Sequence, residues 1–82
     1  MTDINQIENI FRDALELMES DEISDDLPMD QIPAWDSLAQ MTIIIQLKKK
    51  FDINFLFDEI LSMNTLGKIK KITTKKISER EN

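Results

Sequence analysis

The 82-residue chain contains neither cysteine nor histidine. Disulfides, cysteine nucleophiles, histidine general bases and zinc sites built on thiolate or imidazole are therefore excluded, and most enzyme chemistry is excluded with them. A single glycine and two prolines argue against a protein of sheets and turns. The length allows one modest hydrophobic core. We expect a single helical domain at residues 1–82 that is not an enzyme.

Long apolar segments are also absent. Apolar runs such as Ile43 to Ile45 extend over three residues, which is far too short to cross a bilayer. The start of the chain lacks the basic region that is typical of a signal peptide. We therefore expect a cytoplasmic protein with no membrane span.

Basic residues are scarce in the first part of the chain. Residues 1–36 carry 11 acids and one base, net −10, and residues 37–82 carry five acids and nine bases, net +4, which sum to the −6 of the whole chain. This asymmetry suggests a charged partner, although an ordinary solvated surface would have the same pattern. A pI near 4.5 argues against nucleic acid as that partner.

The spacing of apolar residues predicts an all-α bundle. Three main helices are predicted at 3–19, 37–50 and 65–77, and one short helix is predicted at 58–63. Asp3 is the expected N-cap of the first helix. Residues 20–35 form an unusually long connection, which often has a function, and residues 78–82 are predicted to be a frayed polar tail. The inward-facing residues are expected to be Ile4, Ile7, Ile10, Phe11, Leu15 and Met18 in the first helix and Leu66, Ile69, Ile72 and Ile77 in the last.

The second helix has two apolar faces instead of one. Ile43, Ile44, Leu47 and Phe51 form the first face, and Leu38, Met41 and Ile45 lie roughly opposite. The second face can be buried only if something covers it. That cover is either a partner or the connection at 20–35, and the pattern alone does not separate the two.

The head of this helix reads Trp35-Asp36-Ser37-Leu38, and the apolar pattern after it closes at Phe51. An Asp-Ser-Leu motif at a helix start, preceded by an amphipathic helix and a long acidic loop, resembles the acyl carrier protein family over essentially the whole chain. The resemblance implies that a phosphopantetheinyl transferase attaches 4′-phosphopantetheine from coenzyme A to Ser37, with Asp36 and Leu38 forming part of the site. A helix N-terminus also suits an attached phosphate. The alternative is that Asp36 or Ser37 is only the N-cap.

The resemblance further implies a docking stripe for partner enzymes, formed by Leu38, Met41 and Ile45, and we expect Lys48 and Lys49 to take part in docking beside it. Many family members carry acids on this helix, at places where this chain has Gln40, Thr42, Gln46 and the Lys48–Lys50 run. The lysines either select partners or form a solvated helix end that the helix dipole stabilises. The expected partners of this monomer are the transferase and the acyl-loading and acyl-using enzymes.

Trp35 precedes the motif, and its neighbourhood resembles carriers of specialised pathways more than housekeeping fatty-acid carriers. A simple packing anchor over the helix start is the other interpretation, because large aromatic residues mostly supply buried area. A fatty-acid carrier and an unmodified helical adaptor that binds a partner helix through the stripe both remain alternative functions.

The acidic residues outside the motif are not predicted to form a metal or catalytic site. The run at 21–26 lacks the alternating ligands, central glycine and closing glutamate of a calcium-binding EF-hand loop. Asp58 and Glu59 have no apolar pocket or third catalytic residue type near them in sequence, so they are predicted to begin a solvated helix.

Overall fold

The computed structural model describes residues 2–18 and 20–81. Its elements are α1 (Thr2–Ala14), a 3₁₀ turn (Met29–Gln31), α2 (Ser37–Phe51), α3 (Phe57–Ser62) and α4 (Leu66–Glu81). The prediction of an all-α bundle with three main helices and one short helix is confirmed. Within the described ranges, each helix is too short or too polar to span a membrane.

The first helix ends earlier than predicted. The backbone N–H of Leu17 donates to the carbonyl of Arg12 at 2.8 Å, and that of Glu16 donates to Asp13 at 3.2 Å. Glu16 has a left-handed φ of 57°. This is the Schellman termination, in which glycine usually occupies the left-handed position. The chain therefore turns away after Leu15, and Met18, which was predicted to face the core, is 69% exposed.

The predicted start of this helix is also wrong by one residue. Because the helix begins at Thr2, Asp3 lies within its first turn and is not the N-cap. An acid in the first turn still interacts favourably with the positive end of the helix dipole.

The long connection is fastened to the start of α4. The Met29 N–H donates to the carbonyl of Asn64 at 2.8 Å, and the Gly67 N–H donates to the carbonyl of Asp25 at 3.0 Å. A Cβ at position 67 would lie only 3.0 Å from that carbonyl oxygen, so glycine permits the close approach. The loop is thus held against the bundle by backbone contacts that a larger residue would disturb.

A partly buried ion cluster joins the same loop to two helices. Lys70 Nζ lies 2.6 Å from a carboxylate oxygen of Glu8 in α1 and 2.8 Å from one of Asp25 in the loop. Burial alone would lower the pKa of Lys70, but the hydrogen bonds to Asp25 and Glu8 outweigh it and raise the pKa above its ordinary value. The ammonium therefore stays charged where three segments meet.

The core lies between α1, α2 and α4. The face of α2 that was predicted to be buried is buried, and so are Leu66, Ile69 and Ile77 of α4. Trp35 packs edge-to-face on Phe11 with ring centroids 4.9 Å apart. The buried apolar residues are Ile7, Phe11, Leu15, Trp35, Ala39, Ile43, Ile44, Leu47, Phe51, Ile53, Met63, Leu66, Ile69 and Ile77.

The predicted frayed tail is wrong for residues 78–81, because α4 continues to Glu81. Ile77 is buried, and the Arg80 guanidinium donates to the carbonyl of Phe51 at the end of α2. These tertiary contacts fix the last turns of α4. Asn82, the remaining residue of the predicted tail, lies outside the described residues.

Candidate functional site

The head of α2 is capped by Asp36. Its Oδ1 accepts a hydrogen bond from the Ala39 N–H at 2.9 Å, and its carbonyl accepts the first helical bond from the Gln40 N–H at 2.9 Å. Of the two residues considered for the N-cap, Asp36 therefore has that position, and Ser37 is the first residue of the helix proper. The Ser37 side chain is exposed at the helix end whose backbone N–H groups favour an anion.

Ser37 opens onto two surface depressions. The first lies against the long connection, where Pro28, Asp30 and Asn64 form its wall. The second has a volume of about 270 Å³ and lies between α2 and α3, with Met41 and Phe57 among its lining residues. This volume is below the usual range for enclosed ligand pockets, so the second depression is a shallow apolar trough beside the serine.

A buried polar network holds the head of α2 in place. The Trp35 indole N–H donates to Oε1 of Gln40 at 2.7 Å, and the Gln40 amide donates to the carbonyl of Met63 at 3.2 Å. A longer contact of 3.4 Å reaches the carbonyl of Ile60. Trp35 is therefore a packing anchor that is also fixed by a hydrogen bond, as suits a buried indole.

Gln40 is a functional-site residue that sequence reasoning placed wrongly. It was assigned to a partner-facing place, yet it is only 8% exposed. A signal was available, because Gln40, Ile43, Ile44 and Leu47 follow the i, i+3, i+4, i+7 spacing of a single helix face. The exposed glutamine of this helix is Gln46.

The second apolar face of α2 lies open to solvent. Leu38 is 77% exposed, and Met41 and Ile45 are each 47% exposed. The connection at 20–35 therefore does not bury this face. Three further exposed apolar residues lie on or next to α3. Together the six residues form what we call the apolar surface: Leu38, Met41, Ile45, Leu56, Phe57 and Leu61.

The α3 part of the apolar surface was not predicted. Phe57 is 72% exposed and lines the trough together with Met41 and Leu61. A six-residue helix is too short for its apolar spacing to reveal which face is buried. The apolar surface consequently extends across two helices and borders Ser37.

One of the contacts that hold α3 in place is electrostatic. Glu59 Oε1 accepts from the Leu56 N–H at 2.7 Å and lies 2.9 Å from Lys76 Nζ on α4. The Leu56 hydrogen bond, followed by the Lys76 hydrogen bond, lowers the pKa of Glu59 below its ordinary value. This carboxylate was predicted to belong to a solvated helix start, and it forms both the first-turn contact and a bridge to α4.

The lysine run lies at the other end of α2. All three lysines are exposed, and Lys49 and Lys50 line a shallow polar depression with Asp13 of α1. Among the side chains that the structure describes, those of residues 3–18 and 20–80, the ion pairs are made by Lys70 and Lys76 and not by this run. The two ends of α2 therefore differ in charge, since Asp30 and Asp36 border Ser37.

Solved structures of acyl carrier proteins have a fold similar to that of this chain. A holo acyl carrier protein of Geobacter metallireducens superposes with a TM-score of 0.83 at 25% identity, covering 99% of this chain and 92% of its own. The acetyl actinorhodin acyl carrier protein of Streptomyces coelicolor gives a TM-score of 0.75 at 16% identity, over 94% of this chain and 92% of its own. A candidate acyl carrier protein of Mycobacterium tuberculosis gives 0.73 at 18% identity, over 94% and 96%. No protein-family model and no curated protein sequence matches the chain.

The chain is a small helical protein with the fold of acyl carrier proteins. The resemblance to acyl carrier proteins that the Asp-Ser-Leu motif indicated is confirmed by the fold. Acyl carrier proteins are carriers and not enzymes, and the fold supports the same role for this chain.

Proposed function

We propose that this chain is a phosphopantetheine-dependent carrier that holds an acyl or related group as a thioester and presents it to partner enzymes. The position of Ser37 is the observation that carries this proposal. Its side chain is exposed at the head of α2 and borders both depressions, in a chain with the acyl carrier protein fold. The similar Geobacter protein is a holo form, which supports a prosthetic group on this fold.

The surroundings of Ser37 fit the 4′-phosphopantetheine group. In the attachment step, Ser37 Oγ forms a bond to the phosphorus of the pantetheine phosphate, and the pyrophosphate bond of coenzyme A breaks. The nucleotide half of coenzyme A leaves, and the hydroxyl proton passes to solvent. The backbone N–H groups at the start of α2 favour the phosphate that remains. When bound, the arm supplies the thiol that this cysteine-free chain lacks.

Other hydroxyl groups are less suitable for attachment. Ser62 Oγ donates to the carbonyl of Glu59 within α3, and Thr42 Oγ1 donates to the carbonyl of Leu38. Ser24 accepts from the Asp26 N–H in the acidic loop, and Thr73 is buried. Asp36 is fixed as the N-cap directly before Ser37, and we propose that its second carboxylate oxygen helps the transferase and its metal ion engage the site.

The proposal includes a specialised pathway, a cytoplasmic location and a monomeric state. The exposed lysine run at the end of α2 supports partners other than those of housekeeping fatty-acid synthesis, because many family members have acids there. The housekeeping carrier is the alternative within this class. An unmodified adaptor that uses the apolar surface to bind a partner helix is the alternative of another class.

Intact-mass measurement tests the carrier function directly. The protein is incubated with coenzyme A, magnesium and a broad-specificity phosphopantetheinyl transferase, and we expect the addition of one arm. Ser37→Ala should prevent the addition, whereas the matched control Ser62→Ala should accept the arm as the wild type does. An unmodified wild type, or an arm on the Ser37→Ala protein, would contradict the proposal and favour the adaptor.

A further inference from the structure

The apolar surface continues into positive charge along α2. Lys48 follows Ile45 by three residues and Met41 by seven, and Lys49 follows Ile45 by four. Residues at these spacings share one side of a helix. The two lysines therefore lie on the same exposed side of α2 as Met41 and Ile45, toward the C-terminal end of the helix.

Lys48, Lys49 and Lys50 concentrate positive charge at this end of the surface. Arg80 of α4 contacts the carbonyl of Phe51 and adds a further cation beside the lysine run. Asp13 and Asp52 are exposed acids at this end of the helix, and Glu79 is an exposed acid next to Arg80 in sequence. Lys48, which shares the Met41 side of α2, lies next to the apolar surface, whereas Lys49 also borders the depression toward α1.

The opposite end of the surface has the opposite charge. Asp30 and Asp36 border Ser37 in the first depression. Lys48 lies about 17 Å from Ser37 along the helix axis, at a rise of about 1.5 Å per residue. A partner that covers the apolar surface and reaches Ser37 must therefore meet acids near the serine and cations about three turns away.

We propose that the apolar surface and Lys48 dock a partner enzyme whose carrier-binding face has an apolar cleft flanked by carboxylates about 17 Å from its active-site entrance. This inference rests on the carrier function and specifies the chemistry of the partner. Complementary charge at an interface raises the association rate and selects partners, and like charge rejects them. Enzymes whose docking patch is basic along its whole length would meet repulsion at Lys48 and Lys49.

Two other occupants fit the surface less well. A second copy could pair α2 antiparallel, with acids against lysines, but it would cover the depression that Ser37 must keep open. An anionic lipid surface would attract the lysines but repel Asp30 and Asp36 at the other end. The net charge of −6 opposes it further.

A charge-swap experiment on the arm-loaded protein tests the inference. The probe enzymes are a fatty-acid synthase malonyl transferase with a basic docking patch and a variant of it in which two patch cations are replaced by glutamate. The measurement is kcat/KM for malonyl transfer to the arm at low and high ionic strength. We expect the acidic-patch variant to load the wild-type carrier about three- to tenfold faster than its parent does at low ionic strength, with the ratio approaching one in high salt.

Two double variants of the carrier locate the effect. Lys48→Glu with Lys49→Glu should reverse the preference, so that the basic parent becomes the faster enzyme. Lys68→Glu with Lys71→Glu makes the same change of net charge at exposed positions of α4 and should keep the wild-type preference. Circular dichroism and urea denaturation confirm that each variant is folded.

The outcomes separate this inference from the carrier function. Failure of the arm to attach to Ser37 overturns both. If the arm attaches normally, either of two results overturns only the docking inference. In the first, the wild-type carrier prefers the basic transferase. In the second, the control variant shifts the preference as much as Lys48→Glu with Lys49→Glu does. A concentration-dependent dimer in sedimentation, or binding to phosphatidylglycerol vesicles, would also overturn it if Lys48→Glu with Lys49→Glu abolished that association.

Discussion

The indole N–H of Trp35 donates to Oε1 of Gln40 at 2.7 Å, and both side chains are buried. This bond joins the residue before the Asp36 cap to the first turn of α2. Because the Gln40 amide also donates to the Met63 carbonyl, the same glutamine fastens the head of α2 to the segment after α3. Ser37 lies between these two contacts, so the backbone that carries its exposed hydroxyl has a defined position.

Gln40→Met should destabilise the fold by about 1 to 3 kcal/mol, because the buried Trp35 N–H and the Met63 carbonyl lose their partner while side-chain volume is nearly conserved. Gln46→Met is the matched control, since Gln46 is exposed on the same helix and should change stability by less than about 0.5 kcal/mol. Urea denaturation followed by the fluorescence of the single tryptophan measures both. Equal losses in the two variants would show that the network does not stabilise the helix head.

The two faces of α2 should respond differently to truncation. Ile44→Ala or Phe51→Ala removes buried atoms and should cost about 2 to 5 kcal/mol of unfolding free energy. Met41→Ala or Ile45→Ala should cost much less, because both side chains are about half exposed, and should instead weaken docking to partner enzymes. Chemical denaturation gives the first comparison and acyl-transfer rates give the second. Similar stability losses on both faces would contradict the interpretation of the exposed face as a docking surface.

The sequence predicted α2 well because its evidence is local. The Asp-Ser start, the absence of glycine and proline, and the apolar spacing up to Phe51 all lie within the helix. The end of α1 was missed because Glu16 occupies the left-handed position where glycine would have signalled a stop. The end of α4 was missed because its last turn is fixed by the contact of Arg80 with Phe51, which no local pattern encodes.

The candidate site was predicted in part. The exposure of Leu38, Met41 and Ile45 follows from helical spacing, and the structure has them on the surface. Gln40 is polar, which suggests a surface position, although its helical spacing places it on the buried face. The contribution of α3 could not be predicted, since its place beside α2 depends on the Gln40 and Glu59 contacts. The roles of Ser37, Asp36 and the docking residues stay predictions.

Two substitutions of Asp36 separate its capping from its charge. Asp36→Ala removes the acceptor for the Ala39 N–H and should cost about 1 kcal/mol of stability. Asp36→Asn keeps an acceptor oxygen, so its stability should remain near that of the wild type. If the carboxylate also helps the transferase and its metal ion, Asp36→Asn should slow arm addition to Ser37 several-fold without unfolding the protein. Thermal denaturation and timed intact-mass measurements test the two roles, and unchanged addition by Asp36→Asn would limit Asp36 to capping.

The attachment of α3 should depend on pH through Glu59. The pKa of this carboxyl is lowered in the folded state, first by the Leu56 hydrogen bond and then by Lys76. A lowered folded-state pKa gives stabilisation that is present above the unfolded value of 4.5 and is lost as the pH falls through the folded value. We therefore expect the stability difference between wild type and Glu59→Gln to be positive at neutral pH and to shrink below about pH 4.5.

In a Lys76→Met background the pH-dependent part of this stability difference should become smaller but should persist, because the Leu56 hydrogen bond remains. Urea denaturation across an acid pH series measures these differences. A difference that stays constant from neutral pH to about pH 3 would show that ionised Glu59 does not hold α3 in place.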